Sequence, residues 1–175
     1  MKSVFVIIAI IAIISLSLLS YVLLYPKTMF LSSNSIDSIL GGKWKLTNDG
    51  EIKSIQGSIL TYFQENSQNS FLANYSSNYA SMQFYIFKYN SSKVSLQIYF
   101  TSFKLYNELH WNLYNISSRN IYAYFTQGSY YEYIISSNGE YVLTIIYLGK
   151  NVPTSSEAFL LAYNELNLIN GPAGI

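Results

Sequence analysis

Acid–base chemistry in this chain would have to come from a few side chains. The candidates are Glu108, Glu132, Glu140 and Glu165, with His110 as the single histidine. A glycosidase-type pair needs two carboxylates facing one cleft, one of them with a raised pKa. Glu132 is the most interesting of the four. If Asn138-Gly139 are the central residues of a hairpin turn, Glu132 stands opposite Ile145. A carboxyl beside an apolar neighbour has its pKa raised by desolvation. Placement of Glu132 on an exposed face accounts for the same alternation and is the preferred reading.

Other chemistries lack their parts. A Ser-His-Asp site needs a base held by an acid. Glu108 is two positions from His110, and residues so spaced on a helix do not face one another. No Gly-x-Ser-x-Gly elbow, Gly-x-Gly-x-x-Gly or Walker-type loop occurs in the sequence. The absence of cysteine removes disulfides, thiolate metal sites and Cys nucleophiles. One histidine and no Asp-rich run leave no expected metal site, and no cofactor is expected. A net charge of +1 gives no basic surface for nucleic acid. The expectation is therefore a binding protein and not an enzyme. An exported hydrolase using paired carboxylates is the weakest alternative.

Tyrosine offers more. There are 18 tyrosines in 175 residues, and 17% of the chain is aromatic. Tyr85, Tyr122, Tyr124, Tyr131 and Tyr133 alternate along predicted strands and form a candidate binding face. Tyrosine has an apolar body and a polar tip, which suits contact with a protein, a glycan or a sister subunit. Strands also favour tyrosine for its fit on a pleated surface, and helices covering both faces would bury it. Three Asn-x-Ser sequons, at Asn74, Asn90 and Asn115, are candidate glycan acceptors, each expected in a loop.

The elements that must position these residues follow from periodicity. Ser58–Phe63 reads as a short strand, and Lys43-Trp44-Lys45-Leu46 starts the first one, with Asn48-Asp49-Gly50 as a turn. Ala80, Met82, Phe84 and Ile86 alternate, as do Val94, Leu96, Ile98 and Phe100, which predicts a hairpin turning near Ser91. Phe103, Tyr106, His110 and Leu113 then follow 3/4 spacing, predicting a helix capped by Ser102. Ile121, Ala123 and Phe125 mark a strand. Tyr130–Ile135 and Tyr141–Leu148 make a second hairpin around Asn138-Gly139. Thr154 and Glu157 have capping-box spacing for a last helix that stops at Gly171-Pro172. The tetrad Tyr106-Asn107-Glu108-Leu109 recurs as Tyr163-Asn164-Glu165-Leu166, predicting a duplicated hairpin–helix unit. The fold class expected is α+β: an antiparallel sheet whose apolar face is covered by two amphipathic helices. This order, with a Trp near the first strand, resembles the MOG1/PsbP-like domains over residues 43–170. No functional residue carries across from that resemblance.

Val4 to Tyr25 is an apolar run broken only by Ser15, Ser17 and Ser20, flanked by Lys2 and by Pro26-Lys27. A helix needs about 20 apolar residues to cross a bilayer. Three readings fit: a retained signal anchor, a cleaved signal peptide, and a prepilin-like leader cut near Lys2-Ser3. The first is preferred, because the run is longer than a secretory h-region and lacks a small-x-small site. The start resembles archaeal type IV pilin leaders but has Ser3 where Gly or Ala is usual. The expected organisation is a transmembrane signal anchor over 1–27, a tether over 28–42, an exported α+β domain over 43–170 and a tail over 171–175. The charge-poor, Tyr/Ser/Asn-rich composition resembles surface proteins of acidophilic archaea, and bias from an AT-rich genome explains it equally. The function expected is a cell-envelope binding or accessory subunit held at the membrane by residues 4–25. A pilin-like filament subunit is the alternative.

Overall fold

A computed structural model describes residues 29–55, 59–118 and 120–171. The expected membrane segment, residues 4–25, lies outside the described residues. Among the described residues no helix is long and apolar enough to cross a membrane. The architecture is α+β. The elements run α1 (Ser33–Leu40), β1 (Lys45–Glu51), α2 (Ile59–Glu65), β2 (Asn69–Ser76), β3 (Ala80–Lys88), α3 (Ser92–Glu108), β4 (Tyr114–Asn115), β5 (Tyr122–Gln127), β6 (Tyr131–Asn138), β7 (Tyr141–Gly149) and α4 (Ser155–Asn170).

The strands form one seven-stranded antiparallel sheet in the order β1-β2-β3-β7-β6-β5-β4. Its central strands alternate apolar residues on both sides, so both faces must be covered. On the first face, Ala73, Phe84, Phe125, Ile145 and Tyr147 pack under α1 and α4, through Ile36, Leu161 and Leu166. On the second face, Phe87, Tyr124, Ile135 and Val142 pack under α2 and α3, through Leu60, Phe63, Ile98, Tyr99 and Tyr106. Among the described residues, four helices on two faces thus replace the expected two helices on one.

Residues 29–42 belong to the domain rather than to a tether. Phe30, Leu31 and Ile36 are buried in the first core. Ser32 caps α1 by accepting from the Ser35 N–H. Asp37 accepts from the Trp44 N–H at 2.7 Å, and Tyr75 donates to the Leu31 carbonyl at 2.6 Å.

The first hairpin differs from expectation. It joins β2 to β3 through Ser77–Tyr79, where the Ser77 N–H donates to the Ala80 carbonyl. Val94–Phe100 belongs to α3, not to a strand. Ser91 caps that helix, and Ser102 sits in its middle. Its sheet-facing stripe is Ser95, Ile98, Tyr99, Ser102 and Tyr106. The two small serines let the helix approach the sheet, and each hydroxyl donates to a carbonyl one turn back, at Ser92 and Tyr99. Ile59 to Phe63 forms α2 rather than a strand, burying Leu60 and Phe63 three apart. Asn48-Asp49-Gly50 lies within β1 and pairs with β2 past a bulge between Leu46 and Asn48.

The second hairpin and the last helix form as expected, with a shifted register. Asn138 pairs with Tyr141, so Gly139 and Glu140 are the central turn residues. Gly139 has φ +58°, a left-handed conformation that glycine adopts without strain. The Thr154–Glu157 capping box is present on α4.

Hairpin followed by helix does occur twice, as β2-β3-α3 and β6-β7-α4. The two helices cover opposite faces of the sheet. The repeated tetrads have unlike surroundings: Glu108 is exposed, and Glu165 is buried. The recurrence is one of element order, without equivalent packing.

Candidate functional site: an aromatic cleft on the second sheet face

The five tyrosines singled out by alternation do share the second face of the sheet. Their burial differs. Tyr124 and Tyr85 lie under the helices at 1% and 9% exposure, whereas Tyr122 and Tyr131 keep 39% and 40% at the margin. Tyr124 exchanges a hydrogen bond with Ser102 at 2.8 Å, and burial pushes its phenol pKa upward. The face is therefore not an open sheet. What remains accessible is a cleft between α2 and α3, and half-buried Tyr133 stands in it.

The cleft has a volume of about 570 Å³. Tyr133 from β6 and Thr144 and Ile146 from β7 form its floor. Ile59, Leu60 and Tyr62 from α2 make one wall, and Leu105, Tyr106 and Leu109 from α3 make the other. Trp111 closes the end. Its ring lies 4.6 Å from Tyr106 and 5.8 Å from Tyr133, the latter at 69°. Tyr131 continues the ladder, 5.8 Å from Tyr133. Aromatic pairs at such separations add to area burial and hold each ring's orientation. Small-molecule sites span roughly 300–1,000 Å³ and are mostly apolar with a few polar groups. This cleft fits both descriptions.

The end of α3 explains how Trp111 is placed. His110 adopts φ +61° just past the helix. Its N–H donates to the Asn107 carbonyl, and the Trp111 N–H donates to the Tyr106 carbonyl at 3.1 Å. This is a Schellman stop, in which the residue after the left-handed one packs back on the last turn. His110 thus ends a helix and is not part of a stripe. Periodicity alone hides Trp111, because the 3/4 spacing from Phe103 to Leu113 runs a helix through it. A Tyr and a Trp five apart, with the polar His110 just before the Trp, were the available signal. Thr144 was also missed, because a threonine among Val142, Leu143, Ile145 and Ile146 reads as ordinary strand.

The acidic candidates do not gather in this cleft. Glu108 is exposed and pairs with Lys104 at 3.8 Å, and Glu140 is exposed in the second hairpin turn. Glu132 and Glu165 are fully buried in the layer between α4 and the first sheet face. Glu132 stands opposite Tyr147 rather than Ile145, because of the register shift, and it is buried rather than surface-facing. Burial first, and the nearby Glu157 second, raise its pKa to about 8. Burial also raises Glu165 to about 8, opposed by the Leu31 N–H that donates to its Oε2 at 2.9 Å. Both oxygens of Glu132 and Oε1 of Glu165 have no hydrogen-bond partner among the described residues. Among the described residues no group of three or more His, Cys, Asp or Glu could hold a metal ion.

The sequons differ in setting. Asn90 is exposed ahead of α3. Asn115 is exposed on the edge strand β4, and its Oδ1 accepts from the Ser117 N–H at 2.8 Å. Asn74 lies within β2 rather than in a loop, and its Oδ1 accepts from Gln83 Nε2 at 3.0 Å.

No protein-family model and no curated protein matches the chain. Among solved structures, the fold is similar to the extracellular domain of PknH from Mycobacterium tuberculosis, with a TM-score of 0.58. The match covers 79% of this chain and 93% of that one at 9% identity. A GTP-binding regulator from Thermotoga maritima aligns at a TM-score of 0.43 and 14% identity, over 79% of this chain and 88% of that one. At 9% identity the PknH likeness is one of fold alone.

Proposed function

We propose that this chain is a membrane-anchored extracytoplasmic domain that binds a small apolar ligand in the cleft between α2 and α3, and serves a cell-envelope complex as an accessory subunit. The observation that carries the reading is the cleft itself: about 570 Å³, walled by Tyr106, Trp111 and Tyr133 and by leucines and isoleucines of two helices. The apolar run Val4–Tyr25 supports the anchor. The similarity to an extracellular domain is compatible with an extracytoplasmic location. Binding, not catalysis, is the role the cleft favours, because the buried carboxyls lie on the opposite sheet face.

Two measurements test it. Because the chain has no cysteine, a single Asn112→Cys reports sidedness. A membrane-impermeant maleimide should label it in intact cells; labelling only after lysis contradicts the location. The uncharged dye N-phenyl-1-naphthylamine should bind saturably to the full chain. Trp111→Ala with Tyr133→Ala should weaken it by about tenfold or more. Unsaturable binding, or equal binding by the variant, contradicts the cleft.

A further inference from the structure

Thr144 is the feature of the cleft that an apolar pocket does not require. It is 1% exposed, in the middle of β7, with Tyr85 on one side and Ile135 on the other. Its hydroxyl has no hydrogen-bond partner among the described residues. Leaving a buried hydroxyl unpaired is destabilising, and a valine of the same shape would avoid that cost. Val142 and Ile146, its neighbours on the same sheet face, are apolar. Ser136 and Ser137 also carry unpaired hydroxyls, but Thr144 is the one at the cleft floor.

The rest of the lining restricts what can meet that hydroxyl. Among the described residues, no Asp, Glu, Lys, Arg or His lines the cleft. A charged ligand group would be desolvated there without a counter-ion, which is strongly unfavourable. Two charged side chains, Lys104 and Glu108, stand beside the cleft. They line an adjoining groove that shares Ile59, Tyr62 and Leu105 with the cleft, and they already pair with each other.

We infer that the cleft takes an uncharged, largely hydrocarbon molecule carrying one hydrogen-bonding oxygen, with that oxygen on the Thr144 hydroxyl and the hydrocarbon along Leu60, Leu105, Trp111 and Tyr133. A neutral alcohol or carbonyl meets the requirement, because threonine both donates and accepts. The inference rests on the binding reading above and adds the ligand's chemical class.

The test uses the full chain in one detergent, with N-phenyl-1-naphthylamine as the displaced dye. The competitors are 1-octanol, n-octane and octanoate. The octanol-to-octane preference is compared between the parent chain and Thr144→Val in the same medium, so micellar partitioning cancels. The parent should prefer octanol over both others, and Thr144→Val should cut the octanol-to-octane preference by about fivefold while keeping octane affinity. An unchanged preference in Thr144→Val, or octanoate as the best competitor, overturns the inference and leaves the cleft as a binding site. A dye that no competitor displaces overturns the underlying binding reading with it. Thr144→Val should melt no lower than the parent, which separates a lost contact from a lost fold.

Discussion

The Leu31 N–H donates to Glu165 Oε2 at 2.9 Å across a sequence separation of 134 residues. The carbonyl of the same residue accepts from Tyr75 at 2.6 Å. Both backbone groups of one buried residue are thus satisfied by side chains from α4 and β2, and the segment entering the domain is tied to its last helix. Removing the Tyr75 hydroxyl leaves a buried carbonyl unpaired. Tyr75→Phe should therefore destabilise the domain by about 1–3 kcal/mol, read as a lower denaturant midpoint with an unchanged slope. A midpoint equal to that of the parent would show that the clamp contributes nothing.

Stability should fall as pH rises from acid to neutral. Glu132 and Glu165 both have folded-state pKa values raised to about 8, chiefly by burial. Unfolded, a glutamate titrates near 4.3. Between those values the folded chain holds protons that the unfolded chain has released, so folding weakens as pH rises. The contribution is fully present below the unfolded value and is lost as pH rises through about 8. Thermal melting should peak at acid pH and decline by an amount on the order of a few kcal/mol toward pH 8. The double variant Glu132→Gln/Glu165→Gln should flatten that slope. A parent chain that gains stability from pH 5 to pH 8 would contradict the burial of these protons. An acid-stable domain also agrees with the charge-poor composition, because salt bridges lose value as carboxylates protonate.

Gly139 should not tolerate a side chain. Its φ of +58° is left-handed, and a Cβ built there would meet Asn170 Oδ1 at 2.5 Å. Its carbonyl also accepts from Ser95 at 2.6 Å, joining the hairpin turn to α3. Gly139→Ala should cost about 1 kcal/mol or more. A neutral effect in thermal melting would show that the turn can adopt another conformation.

Glycan mapping by mass spectrometry on the native chain should find occupancy at Asn90 and Asn115 and none at Asn74. The first two are exposed, whereas Asn74 is paired inside β2 between β1 and β3. Modification at Asn74 would contradict this ordering.

Sequence patterning reached the fold class, the β6–β7 hairpin and α4, because their signals are local: an Asn-Gly turn, strict alternation and a capping box. It failed at α3, where buried positions are polar and exposed ones apolar. In α3 the residues against the sheet include Ser95 and Ser102, while Phe100 keeps 52% exposure. Reading apolar letters alone, Val94 to Phe100 alternates like a strand. The strand β2 was overlooked although Phe71, Ala73 and Tyr75 alternate, because Asn, Ser and Gln dominate around them. For the site, the five tyrosines that alternation singles out lie on the second sheet face. Only tertiary packing decides that Tyr85 and Tyr124 are covered while Tyr133 opens to a cleft. Trp111 enters through a helix stop, and Thr144 matters only once its hydroxyl is known to be unpaired.

The most direct test of the binding cleft uses the two tryptophans as opposed reporters. Trp111 lines the cleft on the second sheet face. Trp44 is buried on the first face, with its indole N–H donating to the Gly41 carbonyl at 3.2 Å. An amide correlation spectrum of the labelled chain resolves both indole N–H signals. On titration with 1-octanol, the Trp111 indole should shift saturably together with the backbone amides of Leu105, Tyr133 and Thr144, while the Trp44 indole stays in place. Equal movement of both indoles, or no movement at Trp111 as octanol reaches saturation, would contradict a ligand site between α2 and α3.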